Sequence, residues 1–204
     1  GEGKFGDHVF MADALQDIRD GTARGKTLAQ GTARVGEHYK VARVPVIKKQ
    51  GISAYDPRVI EVTGISMMVT AQGADHTTGN LPAFKCDDKT TEELTAASLD
   101  IQVLCASADS LGLCLFGRSV TNENEAFIVD ALNKACGTEL EPSFYRQLGL
   151  ETLRDEWAFN KQAGFTEEDD KLPDFFHDEA LPPSGKQARH RSAEVNAHLR
   201  ELLA

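Results

Sequence analysis

No stretch of the sequence approaches the ~20 consecutive apolar residues that a membrane-crossing helix needs. The longest mostly apolar runs, at 101–105 and 111–116, are five and six residues long, so no membrane span is expected. Excess positive charge is also lacking. With 22 Lys plus Arg against 32 Asp plus Glu, the net charge is −10, which disfavours attraction to phosphate backbones and anionic lipid. Neither nucleic acid nor a membrane is an expected partner. The acidic run Glu167-Glu168-Asp169-Asp170 reads as a solvated turn. C-x-x-C pairs are missing too. Cys86, Cys105, Cys114 and Cys136 are separated by 18, 8 and 21 residues, which gives a self-contained zinc or iron–sulfur site little support. No basic and apolar leader is visible, so the thiols are expected to be reduced, in a cytoplasm. Cys105 and Cys136 fall within helical apolar patterns and are expected to be buried small hydrophobes. An initiator Met is absent, and the sequence stops at Leu202-Leu203-Ala204 within an apolar pattern. A fragment of something longer is therefore expected.

What is present is ordinary globular sequence, 41% apolar and 26% charged, with a length that gives one domain or two small ones. The periodicity is mostly helical. Met11, Leu15 and Ile18 share a face that stops at Gly21, and Leu28 and Val35 share another over 27–35, broken by Gly36. Thr90-Thr91-Glu92-Glu93 is a capping box that opens a helix carrying Ile101, Leu104 and Ala108. Asn122 is placed to cap a helix with Ile128, Leu132 and Ala135 that ends near Gly137. Ser143 is placed to cap a long helix with Phe144, Leu148 and Trp157 inward, ending at Gly164. A last helix from about Ser192 has Val195, Leu199 and Leu202 on one side. Residues 41–48 alternate weakly, but Pro45 demotes them to an extended or edge segment. The expected fold is all-α and multihelical, with long loops at 37–60, 70–90 and 164–191, of a length that usually carries sites or lies against further structure. It divides into closely packed subdomains at about 1–85 and 86–204.

Four segments can carry chemistry. Tyr55-Asp56-Pro57-Arg58 reads locally as a capped helix start. In Gln72-Gly73-Ala74-Asp75-His76-Thr77-Thr78-Gly79, small neighbours leave the His76 imidazole unscreened, and it can exchange a proton near neutral pH. In Asp109-Ser110-Leu111-Gly112-Leu113-Cys114, Gly112 permits positive φ and close approach by a ligand. Asp109 can accept hydrogen bonds from a heterocycle there. Cys114 offers a soft thiolate to a thiophilic metal, although a cluster takes four such ligands and one cysteine supplies one. The stretch from Trp157 to Phe165, followed by Asp169-Asp170-Lys171-Leu172-Pro173, reads as a helix leaving through a glycine into an acidic turn, with no catalytic group.

Together and in this order, these segments resemble the carboxy-terminal part of the tungsten-dependent aldehyde ferredoxin oxidoreductase family. Tyr55-Asp56-Pro57-Arg58 is similar to its Y-D-P-R segment and Gly73-Ala74-Asp75-His76 to its R-G-x-x-H segment. Residues 109–114 match D-x-x-G-L-C, and Phe159-Asn160 through Leu172-Pro173 resemble F-N-x-x-x-G-F…D-x-L-P. Residues 15–36 also resemble the family's helix and glycine pattern, and the likeness spans about 5–175. It implies oxidation of aldehydes to carboxylic acids at a tungsten (or molybdenum) held by two pterin dithiolenes. Electrons then pass through a [4Fe–4S] cluster to ferredoxin. By resemblance, His76 sits by the tungsten, Asp109 binds a pterin with Gly112 and Leu113 in the same turn, and Cys114 is the last cluster ligand.

The departures are equally specific. The family's C-x-x-C-x-x-x-C run and its amino-terminal pterin-binding sheet domain are missing, Gln72 stands where arginine is usual, and 182–204 match poorly. The chain is therefore expected to need an amino-terminal partner region, and to neither hold these cofactors nor turn over alone. Its oligomeric state stays open, a homo-oligomer included. A tungsten enzyme that reduces aromatic acyl-CoA thioesters shares the same motifs. A non-catalytic helical interaction module is the alternative from a different class.

Overall fold

A computed structural model describes residues 3–203. Its described residues form ten helices and one small hairpin, so the architecture is multihelical, as the periodicity predicts. None of these helices is long and apolar enough to cross a membrane.

The chain opens with α1 (His8–Asp20), whose first amides are taken up by the Asp7 carboxylate and which stops at Gly21 in the left-handed region. Met11 and Leu15 form a stripe as expected, but it faces outward, at 59% and 65% exposure. Periodicity identifies an apolar face without saying what covers it. The single helix expected over 27–35 is two, α2 (Ala23–Leu28) and α3 (Thr32–Tyr39), and the break falls at Gly31. Gly36 lies inside α3, packed against the Val44 side chain. A hairpin follows, β1 (Val46–Ile47) and β2 (Gln50–Gly51), paired Val46 with Gly51 and Ile47 with Gln50. Lys48 and Lys49 turn it at positive φ of 47° and 66°, so the extended segment seen in the sequence doubles back after Ile47.

The centre is α4 (Glu61–Val69), and all nine of its residues are buried. Around it, Ile47, Leu94, Leu172, Phe176 and Val195 complete the main core. The spine is α5 (Thr91–Ser110), begun by the expected capping box with Thr90 and Glu93. A single turn, Leu115–Gly117, leads into α6 (Arg118–Thr121) and then α7 (Glu125–Cys136). Asn122 ends α6 instead of starting α7, which begins after Asn124. Cys105 is buried as expected, but Cys136, in the exposed last turn of α7, is not.

The long helix is α8 (Phe144–Gln162), and Ser143 makes no side-chain cap. Its buried face is Tyr145, Gly149 and Leu153, one residue round from the face expected through Phe144 and Leu148. The reason is contact with α5. A Cβ on Gly149 would stand 2.0 Å from the Val103 carbonyl oxygen, so the closest approach of the two helices must run along that glycine. Ser107 Oγ seals the contact by donating to the Tyr145 carbonyl at 2.5 Å. A short α9 (Phe175–Asp178) and α10 (Ser192–Leu202) close the fold. In α10, Val195 and Leu199 are buried while Leu202 is 44% exposed. The acidic run is not wholly solvated either, since Asp170 is buried against the Lys48 ammonium.

Candidate functional site

The 109–114 segment is the stop of α5. Gly112 adopts φ 68°, its N–H bonds the Asp109 carbonyl at 3.0 Å, and the Leu113 N–H reaches back to Ala108 at 2.8 Å. This is the Schellman arrangement that satisfies the last carbonyls of a helix. The Leu113 side chain packs beside Leu104, Val129 and Tyr145, which anchors the turn from inside. Nothing lies within 4 Å of a Cβ built on Gly112, so its outer side is open. Cys114 emerges exposed, and its carbonyl accepts the Gly117 N–H at 2.8 Å. Asp109 is exposed on the same turn. The glycine is thus demanded by backbone geometry, and the turn it makes displays a carboxylate and a thiol on one open surface.

The 72–79 loop is held more tightly. Ala74 takes a positive φ of 55° and donates its N–H to Met67 at the end of α4, at 2.9 Å. The Asp75 carboxylate accepts from both the N–H and the hydroxyl of Thr77 at 2.7 Å. His76 is half-buried, and its ring centroid lies 5.1 Å from that of Tyr55. Tyr55 is steadied by the turn that follows, where Asp56 accepts from the Arg58 N–H and from its guanidinium at 2.7–2.9 Å. Behind the loop stands α8. Trp157 Nε1 donates to the Val69 carbonyl at 3.0 Å and Asn160 Nδ2 to that of Ala71 at 2.7 Å. Three of the four segments therefore converge on the strip that carries His76.

Electrostatics link this loop to the fourth. Partial removal from water, together with the Asp75 charge, raises the Asp109 carboxyl above its ordinary pKa. Glu156 is raised likewise, by partial burial and then by Asp109 and Asp75. The buried Cys105 thiol is pushed up to about 11, mainly by burial and then by Asp109 and Asp75. Asp75, Asp109 and Glu156 therefore share one negative field beside the His76 loop and the Cys114 turn. Sequence reasoning passed over Glu156. The signal was its helical spacing, since Leu153, Glu156, Trp157 and Asn160 fall on one face of α8.

The donor set bears on a metal cluster. A [4Fe–4S] centre takes four thiolates. Of the four cysteines, Cys86 and Cys105 are buried, and no group of three or more His, Cys, Asp or Glu is placed to hold a metal among the described residues. Cys114 fits as one exposed ligand of a set completed elsewhere. Asp109 fits as an open acceptor on the same turn.

Comparison with known proteins agrees in kind and corrects the extent, since the match runs past the expected 5–175 and takes in 182–204. The family model for aldehyde ferredoxin oxidoreductase, domains 2 and 3, matches residues 2–204. The tungsten-containing aldehyde ferredoxin oxidoreductase of Pyrococcus furiosus is 30% identical over 190 residues, covering 88% of this chain and 31% of that protein. Its namesake in Pyrococcus horikoshii is 27% identical with the same coverage. That of Thermococcus kodakarensis is 29% identical over 168 residues, covering 78% of this chain and 27% of the relative. The chain thus spans about a third of the length of these relatives, and it belongs to the aldehyde ferredoxin oxidoreductase family, in the region of that family's domains 2 and 3.

Proposed function

We propose that this chain is the helical part of an enzyme that oxidises aldehydes to carboxylic acids and delivers the electrons to ferredoxin. The observation that carries this reading is the juxtaposition of the half-buried His76, stacked on Tyr55, with the open Asp109–Cys114 turn through the field of Asp75. The overall change is aldehyde plus water to carboxylic acid, two protons and two electrons. A tungsten–bis-pterin centre with a [4Fe–4S] cluster supplies the redox chemistry when bound. In this reading Asp109 accepts hydrogen bonds from a pterin through its carboxylate. Leu113 has only its carbonyl to offer in the same turn, because its N–H is already given to Ala108. Cys114 contributes one thiolate to the cluster.

His76 moves protons. Its imidazole takes up one of the two protons that leave as the hydrated aldehyde is oxidised to the acid, and the Tyr55 ring, 5.1 Å away, steadies the plane in which it does so. Substituting Cys114→Ser in the intact protein tests the assignment. A hydroxyl is a poor ligand for iron, so cluster iron should fall below one atom in ten of that in the unsubstituted protein. Unchanged iron would sink the assignment of Cys114. Steady-state assays with aldehydes and with benzoyl-CoA separate aldehyde oxidation from thioester reduction.

A further inference from the structure

Away from the 109–114 turn, a cavity of about 570 Å³ lies between α8, the 164–170 turn and α10, within the size range of small-molecule sites. Its walls are apolar, with Trp157 and Phe165 among them and Leu199 and Leu203 contributed by the last helix and its end. Its charged floor is internally neutral. The Lys48 ammonium, only 4% exposed, pairs with Asp170 and donates to the Met68 carbonyl at 2.8 Å. The second Asp170 oxygen accepts from Asn196 at 2.9 Å. On the rim, Arg200 is matched by Glu167. That leaves Lys161, which lines the cavity and has no carboxylate partner among the described residues.

The lining therefore holds Lys48, Lys161 and Arg200 against Glu167 and Asp170, a net positive charge on a chain whose total is −10. Apolar walls with one unmatched cation at the rim suit an amphipathic anion. We propose that this cavity binds an alkyl carboxylate, with its carboxylate on Lys161 and its chain running inward across Trp157 toward Phe165 and Leu199. None of its lining residues belongs to the 72–79 or 109–114 segments, although Trp157 and Asn160 also bond the carbonyls that lead into the His76 loop.

Trp157 is the only tryptophan in the sequence, so its fluorescence reports occupancy directly. Titrating the full 204-residue chain with octanoate should give a saturable change. Across a series of shorter and longer carboxylates, affinity should rise about fourfold per added methylene until the cavity is full, following the ~0.8 kcal/mol gained for each buried methylene. Octylamine should bind about tenfold more weakly than octanoate. Lys161→Glu, on the exposed side of α8, should weaken octanoate by about tenfold, since it turns a surface attraction into a repulsion. Uncharged octanol should bind both chains alike, which reports that the variant keeps its cavity. No saturable response, a flat methylene series, or equal binding of octanoate and octylamine by the unsubstituted chain would overturn the proposal.

Discussion

Glu61 begins the buried helix α4 and is itself only 6% exposed. Burial alone would lift its carboxyl pKa. Instead Arg189 grips both oxygens at 2.7 Å and His190 Nε2 stands 3.5 Å away, and together these hold the group down at about 2, against an ordinary 4.5. A folded-state pKa below the unfolded one contributes stability that is fully present above pH 4.5 and is lost as pH falls toward 2. At ~1.36 kcal/mol per unit, the contribution is about 3 kcal/mol. Arg189 also donates to the carbonyls of Cys86 at 2.9 Å and Lys89 at 2.8 Å, so the same carboxylate fixes the 86–89 turn that precedes α5. Glu61→Gln should therefore cost about 3 kcal/mol near neutral pH, the low end for breaking a buried pair, because Arg189 keeps its carbonyls and partial contact with water. Urea unfolding of both chains at a series of pH values checks this. The difference should shrink between pH 4.5 and 2, where the wild-type carboxylate itself becomes neutral. A constant offset across that range would refute the reasoning, since it would mean that the charge of Glu61 contributes nothing.

Three further outcomes follow from packing and exposure. Iodoacetamide near neutral pH should label the exposed Cys114 and Cys136 and spare Cys86 and Cys105, the last having a thiol pushed up to about 11 by burial and by Asp109; peptide mass spectrometry reads this, and labelling of Cys105 as fast as Cys114 would contradict it. Gly149→Ala places a methyl 2.0 Å from the Val103 oxygen and should cost about 3 kcal/mol by prising α5 from α8, visible as a lowered melting temperature. Lys48→Met strands the buried Asp170 carboxylate with Asn196 alone. It should cost about 3–5 kcal/mol, with part recovered by adding Asp170→Asn.

Much of the fold was legible because helices advertise their ends. The capping box at Thr90 and the left-handed stops at Gly21 and Gly137 stand where the residue types place them. The gaps have physical causes. No amphipathic period marks 61–69, because a helix buried on every side has no polar face to alternate with its apolar one. In α8, Phe144, Leu148 and Trp157 are partly buried as expected, but the fully buried line runs one residue round for a related reason. Its tightest contact uses Gly149, which no count of large apolar residues includes. The hairpin turn was invisible because Lys48-Lys49 takes the left-handed conformation normally given to Asn-Gly. The tertiary setting that permits it includes the Asp170 carboxylate 122 residues away.

For the site, spacing in the sequence identified the turn and the loop but not what joins them. Gly112 was read as leaving room for a ligand, whereas the structure gives it a second task, ending α5 so that Asp109 and Cys114 flank the same open turn. These tasks do not compete: the φ of 68° that stops the helix is also what keeps a side chain off the outer surface. The connection to His76 runs through α8, a helix with no catalytic group of its own. Thr152 meets Ser110 at the end of α5 at 3.2 Å, and Trp157 and Asn160 bond the carbonyls that lead into the His76 loop. Between these contacts on the same face lies Glu156, raised by Asp109 and Asp75. A carboxylate in that position costs some electrostatic energy, because Glu156 repels Asp109 and Asp75, although Glu156 and Asp109 are exposed and water screens much of the repulsion. That repulsion is relieved if protons or donor groups are supplied from the open side. The turn therefore favours whatever brings hydrogen-bond donors to Asp109.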